Sequence, residues 1–247
     1  VTIRADDPRE QAARVVRDYD LLAVPVINGG DKLVGIITYD DAMDVAEAEA
    51  TEDFHRSGGV GALSTSVRDA SLAMLYRTRV FWLVLLVFGN LFSGAGIAHY
   101  EDTIADHLTL LFFLPLLIAS AGNAGSQAST LMVRAMATGE VQLRDWGRML
   151  GREFVVAALL GVTMAIAIAG IGVWRGGQAV AEVVAITMIL VVIVGSLIGM
   201  SLPFVLSRMR LDPATASGPL VTSIADVAGV MIYFGIATAL LMPGSPA

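Results

Sequence analysis

Five stretches of the chain run apolar with almost no charge, at 80–98, 108–133, 154–174, 183–207 and 213–242. A helix needs about 20 apolar residues to cross the hydrocarbon core of a bilayer, so the pattern predicts five membrane-spanning helices. Each stretch is rich in Gly, Ala and Ser, which let membrane helices approach closely, and a tight bundle is expected. Ahead of them the periodicity is that of a small polar module. Residues 8–19 place apolar groups at helical spacing behind Asp6-Asp7, which predicts a capped helix. Residues 22–27 and 33–38 are short β-branched runs separated by Asn28-Gly29-Gly30, the chemistry of a hairpin. A second helix is expected to begin near Asp40.

Composition sharpens that division. The chain has 247 residues, 55% of them hydrophobic, and a mean hydropathy of +0.71, too high for a soluble globular domain. Residues 1–79 carry 23 charged side chains, whereas the 168 residues after them carry 16. The net charge of −7 and the lack of a basic patch argue against a nucleic-acid partner. With no cysteine there is no disulfide, thiolate metal site or cysteine nucleophile. The chain begins at Val1 with neither a signal nor a transit peptide, and is expected to be part of a longer protein.

Basic residues set the orientation, because cytoplasmic loops are enriched in Lys and Arg. Of seven Arg after position 79, Arg134, Arg144, Arg148 and Arg152 fall in the second loop and Arg208 and Arg210 in the fourth, with only Arg175 opposite. The loop at 99–107 carries Glu101, Asp102 and Asp106 without Lys or Arg and reads as external. A multi-pass protein with a cytoplasmic N-terminus and an external C-terminus follows.

Two features carry candidate chemistry. Between Asp40 and Asp53 stand seven acids, Asp40, Asp41, Asp44, Glu47, Glu49, Glu52 and Asp53, with no basic residue. Their recurrence at i, i+3 and i+4 makes carboxylate rows that repel one another. Such a face is either solvated or neutralised by divalent cations, which prefer oxygen ligands. Its place just before the first span, beside an anionic membrane surface, favours ions and suggests an ion-sensitive switch. The second feature is Asp226, the only acid inside the last span and, on this reading, the only membrane carboxylate. An acid at that depth costs at least about 2.5 kcal/mol and faces a cavity, a partner or an ion path; a protonated carboxyl bonded to a neighbouring helix is the other reading. Thr222 and Gly229 share its face, and Pro219 would free a backbone carbonyl near the same path. In the second span Asn123, Gln127 and Thr130 share a face beside Gly122 and Gly125, where amides either join helices or line a path. Asn90 and Ser93 are given no role.

Residues 1–50, with Val24-Pro25-Val26 and Leu33-Val34-Gly35-Ile36-Ile37-Thr38 as their most typical stretches, resemble one CBS repeat. CBS repeats pair to bury a shared sheet face, so a partner repeat is expected elsewhere. Some pairs bind adenine nucleotides, but half a pair leaves that partner without support. With Glu47-Ala48-Glu49-Ala50-Thr51-Glu52-Asp53, five spans, Gly122-Asn123-Ala124-Gly125-Ser126-Gln127 and Asp226-Val227-Ala228-Gly229, the whole chain resembles the MgtE family of magnesium channels. The resemblance implies a mostly α fold: a second CBS repeat over 1–39, an acidic plug helix and linker over 40–79, and a five-helix transmembrane pore domain over 80–247. It also implies a homodimer in the bacterial inner membrane, in contact with lipid, conducting Mg²⁺ and closed by cytosolic Mg²⁺.

Carried over residue by residue, the resemblance makes Asp226 the pore residue for hydrated Mg²⁺, with Thr222, Gly122, Asn123 and Gly125 nearby. It makes Asp41, Asp44, Glu49, Glu52 and Asp53 the sensing ligands. The chain departs from the family at Ala121, Ser126, Gly218 and Ala228, where Gly, Asn, Asn and Thr are usual, so several pore-side polar groups are absent. Competing readings are a Na⁺- or H⁺-coupled carrier of another divalent ion such as Co²⁺, and a membrane sensor that does not transport. An inverted repeat would favour the carrier and none is visible. An intramembrane enzyme is disfavoured, because an aspartyl protease needs two membrane carboxylates and His55, His99 and His107 are too scattered for a His-Glu-x-x-His zinc site.

Overall fold

The computed structural model describes residues 1–61, 63 and 66–241. It divides into two compact units, Val1–His55 and Arg56–Ala247. The elements run β1 (Ile3–Arg4), α1 (Arg9–Asp18), β2 (Ala23–Ile27), β3 (Leu33–Thr38), α2 (Tyr39–Ser57), α3 (Leu72–His99), α4 (Glu101–Asp106), α5 (Leu110–Ala137), α6 (Trp146–Arg208) and α7 (Gly218–Leu241).

In the first unit β2 and β3 form the hairpin that the sequence predicts, with Ala23 opposite Thr38 and Val24 opposite Ile37. Asn28 closes it, its side-chain oxygen accepting from the amides of Gly30 at 3.0 Å and Lys32 at 3.1 Å. The pattern does not predict β1, which is two residues long and pairs parallel to β2 through Ile3 and Val26. Helix α1 starts behind Pro8 with no side-chain cap. The expected acidic cap is occupied elsewhere, because Asp7 accepts from the amide of Arg4 at 2.9 Å and holds the turn after β1. Ile3, Ala12, Ala13, Val16, Val24 and Ala42 form this unit's core. Leu33, Val34 and Ile36 on β3 stay exposed.

In the second unit α5 packs on both α6 and α7, and α3 packs on α7. Among the described residues four helices are long and apolar enough to cross a membrane, and α6 is the exception in length. Its 63 residues would extend ~95 Å if straight, about three bilayer cores. It is not straight: Gly177, at φ 73° and ψ −179°, leaves helical geometry in a region open essentially to glycine alone. The two limbs, 146–176 and 178–208, fold back on each other, with Gly161 against the Ile189 backbone and Gly172 against Ala181. Five membrane-length apolar helical segments result, the number that the hydropathy pattern predicts.

Their ends differ from the expectation. The third and fourth spans are one element that reverses at Gly177, and the third begins earlier than expected, at Trp146, because Arg148, Arg152 and Glu153 interrupt the apolar run without interrupting the helix. The last span begins later than expected, since Pro213–Thr215 form a separate 3₁₀ turn capped by Asp212, which accepts from the Ala214 amide at 2.9 Å. Pro219 therefore falls in the first turn of α7, where its missing N–H costs no helix bond, and it does not open the helix interior as expected. Met242 and the C-terminus lie outside the described residues.

Candidate functional site

Small residues let α5 approach its neighbours to backbone contact. A Cβ on Gly125 would lie 2.6 Å from the Gly195 carbonyl oxygen and 2.8 Å from Val221 Cγ1, and one on Gly122 would lie 2.8 Å from Thr222 Cγ2. Those contacts fix the register of α5 against α7. Gly122 meets Thr222, while Gly229 stands one step along, 3.9 Å by its Cβ position from the Ile118 Cα. Asp226 lies between those two contacts, one helical turn from Thr222 and just under one from Gly229.

Asp226 is half-buried, and its Oδ1 is fully enclosed with no hydrogen-bond partner among the described residues. A buried carboxylate oxygen without a partner costs free energy that bonding to a ligand, water or proton would recover. The neutral alternative, a carboxyl bonded to an adjacent helix, is not the arrangement at that oxygen. Thr222 lies on the same face, where its hydroxyl donates to the Gly218 carbonyl at 2.8 Å and lies 3.3 Å from Ser126 Oγ. Ser126 also lies 3.4 Å from the Gly218 carbonyl. Two of the departures from the family pattern, Ser126 and Gly218, thus bond to each other.

Gly122 meets Thr222 and Gly125 meets Val221 at the α5–α7 contact, and Asp226 follows Thr222 by one turn of α7. Asn123 does not join them in the single chain. With Gln127 and Thr130 it forms an exposed polar row along α5, turned away from the packed side formed by Ser120, Ala121, Ala124, Gly125 and Ala128.

Glu153 is a residue that sequence reasoning misses. It begins the buried stripe Ala157, Gly161, Ala165, Ile168 and Gly172 of the first limb of α6, and the buried Ser196 of the second limb donates to its Oε1. Among the described residues the membrane helices therefore hold two half-buried carboxylates, Glu153 and Asp226. The helical spacing of 153, 157 and 161 was the available signal, overridden by the charge of Glu153 itself.

The acidic row lies on α2. Thr38 donates to Asp41 at 2.7 Å across the first turn, and Asp41, Asp44 and Glu47 are exposed. Glu49, Glu52 and Asp53 are half-buried. Burial pushes the Glu49 carboxyl above its ordinary value, reinforced by Glu10, Asp53 and Glu52. Among the described residues no three Asp, Glu or His side chains are grouped to hold a metal ion. The five expected sensing residues are thus strung along one helix, not gathered into a ready-made site.

The chain matches two family profiles, the CBS domain over residues 1–48 and MgtE, a divalent cation transporter, over 114–236. Three relatives called magnesium transporter MgtE are similar along nearly all of it. The one from Thermus thermophilus is 39% identical over 98% of this chain and 54% of its own length. That from Bacillus subtilis is 37% identical over 94% and 51%, and that from Enterococcus faecalis 33% over 96% and 52%. A CBS module followed by close-packed apolar helices of membrane length is the architecture of a multi-span membrane protein. The chain belongs to the MgtE family. It spans about half the length of the curated relatives it matches.

Proposed function

We propose that this chain is the second CBS repeat (1–39), plug helix and linker (40–79) and pore domain (80–247) of a Mg²⁺-selective divalent cation channel, and that cytosolic Mg²⁺ bound along α2 closes it. The observation that carries the reading is the enclosed, partnerless Oδ1 of Asp226 within a membrane helix. Mg²⁺ sheds its water reluctantly, so a carboxylate suits it as an outer-shell partner that attracts the ion without trapping it. The exposed row Asn123, Gln127 and Thr130 supports a homodimer. Polar side chains turned out from a membrane bundle are stable only against a water-filled path or another protein surface, and a second copy supplies both. Two Asp226 carboxylates, one from each protomer, then serve one path.

Potential-driven Mg²⁺ flux into liposomes containing the full-length protein tests this. Asp226→Ala is expected to abolish flux while the protein remains a folded dimer, and unchanged flux would refute the assignment. Flux that follows a Na⁺ or H⁺ gradient, and not the potential alone, would instead favour the coupled carrier. Neutralising Asp41, Asp44, Glu49, Glu52 and Asp53 together should leave flux running at internal Mg²⁺ levels that shut the unmodified protein. Normal closure in that variant would place the sensor elsewhere.

A further inference from the structure

The segment after α2 folds back onto the start of α3 and borders an open pocket of about 280 Å³. Arg56, Val60, Arg77, Phe81 and Trp82 supply its charge and its apolar wall. Glycine permits the approach: Gly59, at φ +68°, lies so flat on the Trp82 indole that a Cβ would come within 2.5 Å of Cδ1 and Nε1. The Gly61 amide then donates to the Thr78 carbonyl at 2.9 Å and fixes the segment to α3.

Two donors in this pocket are unspent. Trp82 Nε1 is fully enclosed and has no hydrogen-bond partner among the described residues. A buried indole N–H normally finds one, so this donor lacks the acceptor that its setting calls for. Arg77 is exposed and forms no ion pair among the described residues. It precedes Trp82 by five residues, ~7.5 Å along the helix axis. The charged residues that line the pocket are Arg56 and Arg77. Arg56 is paired with Asp212, whose carboxylate also caps the turn before α7, so those two cancel and Arg77 leaves the pocket positive.

The pocket lies where the apolar run of α3 begins, at the depth where Trp and Arg of a membrane helix meet the headgroup layer. A cation, an N–H donor and an apolar wall match an anion that is polar at one end and greasy at the other.

We propose that this pocket binds a phosphate-bearing anion, with Arg77 pairing its charge, Trp82 Nε1 donating one hydrogen bond to a phosphate oxygen as Gly59 lifts off the indole, and Phe81 and Val60 covering the adjoining carbon. Phosphate of this kind has two sources, the headgroup of an anionic phospholipid and a soluble phosphate.

Native mass spectrometry of the full-length protein released from nanodiscs of phosphatidylglycerol or phosphatidylcholine tests the lipid arm. Phosphatidylglycerol should be retained preferentially, with retention cut about five-fold by Arg77→Gln, the effect of one basic residue at an anionic surface. Arg77→Lys should restore most of it, and Trp82→Phe, which keeps a ring and loses the donor, should lower it. Arg77 is exposed, so its variants test binding and not folding. A soluble arm measures thermal stabilisation by inorganic phosphate in neutral detergent. Stabilisation that Arg77→Gln removes, without preference for phosphatidylglycerol, assigns the soluble anion; preference for the lipid without stabilisation by phosphate assigns the headgroup. If neither lipid retention nor phosphate stabilisation changes in Arg77→Gln and Trp82→Phe, the proposal is overturned.

Discussion

Single residues decide how close the membrane helices come. A Cβ placed on Gly199 would overlap the Gly125 carbonyl oxygen, and one on Gly195 would overlap that of Ala121. Backbone cannot swing aside as a side chain can, so Gly199→Ala has to push α5 and the second limb of α6 apart, at about 1–3 kcal/mol for an overpacked contact. Gly170 meets nothing within 4 Å, and Gly170→Ala should be neutral or slightly stabilising. Thermal melts followed by size exclusion should therefore separate two identical chemical changes, a clear drop for Gly199→Ala and none for Gly170→Ala. Equal midpoints would mean that the two helices do not touch there. The sequence showed that these spans were rich in small residues but not which glycines were indispensable, because contact depends on a partner helix many residues away. Asp226 was legible for the opposite reason. A lone acid in an apolar run stands out without any knowledge of its neighbours, whereas Glu153, just outside such a run, needed Ser196 to give it meaning.

At the scale of the element, α2 and α6 each carry a built-in cost. On α2 the Glu49 carboxyl, ordinarily at 4.5, is raised by burial and by Glu10, Asp53 and Glu52. A carboxyl raised in the folded state binds more protons folded than unfolded between the two values, so stability is full below that interval and falls as pH rises through it. Glu49→Gln should accordingly raise the thermal midpoint at neutral pH in chelator, and the gain should vanish once the pH is below the ordinary carboxylate range. Matching midpoints at neutral pH would show that the acidic row exerts no repulsion at Glu49. On α6 the cost is at the reversal, where Gly177→Ala would force a side chain into backbone geometry that disfavours it by roughly 1–3 kcal/mol. A lowered midpoint is expected there, with Gly170→Ala as the control within the same helix. Hydropathy separated the two limbs through Arg175 and Glu182 and so found the right number of crossings. It did not find that the helix runs on through Arg148 and Arg152, because hydrogen bonding within a helix is indifferent to what its side chains prefer to face.

For the whole molecule, the order of elements was legible because periodicity and hydropathy are properties of the chain alone. The apolar residues Leu33, Val34 and Ile36 of β3 and the outward polar row of α5 are exposed, and a partner's chemistry is not written in one chain. Orientation in the membrane is the property for which sequence supplies a rule and the fold a means of checking it. Arg134, Arg144, Arg148, Arg152, Arg208 and Arg210 all lie at one end of the predicted crossings, and cytoplasmic loops carry the excess of basic residues. Ala105 in α4 and Gln178 beside the reversal of α6 are exposed at the other end, whereas Glu140 is exposed in the turn between α5 and α6 on the basic side. These 247 residues contain no cysteine, so a single cysteine at any of these positions is the one thiol among them. Ala105→Cys and Gln178→Cys should react with a membrane-impermeant maleimide added to intact cells, and Glu140→Cys should react only after permeabilisation. The reverse pattern would place α2 on the outer side, where cytosolic Mg²⁺ could not reach it, and the proposed gate would fall together with the orientation.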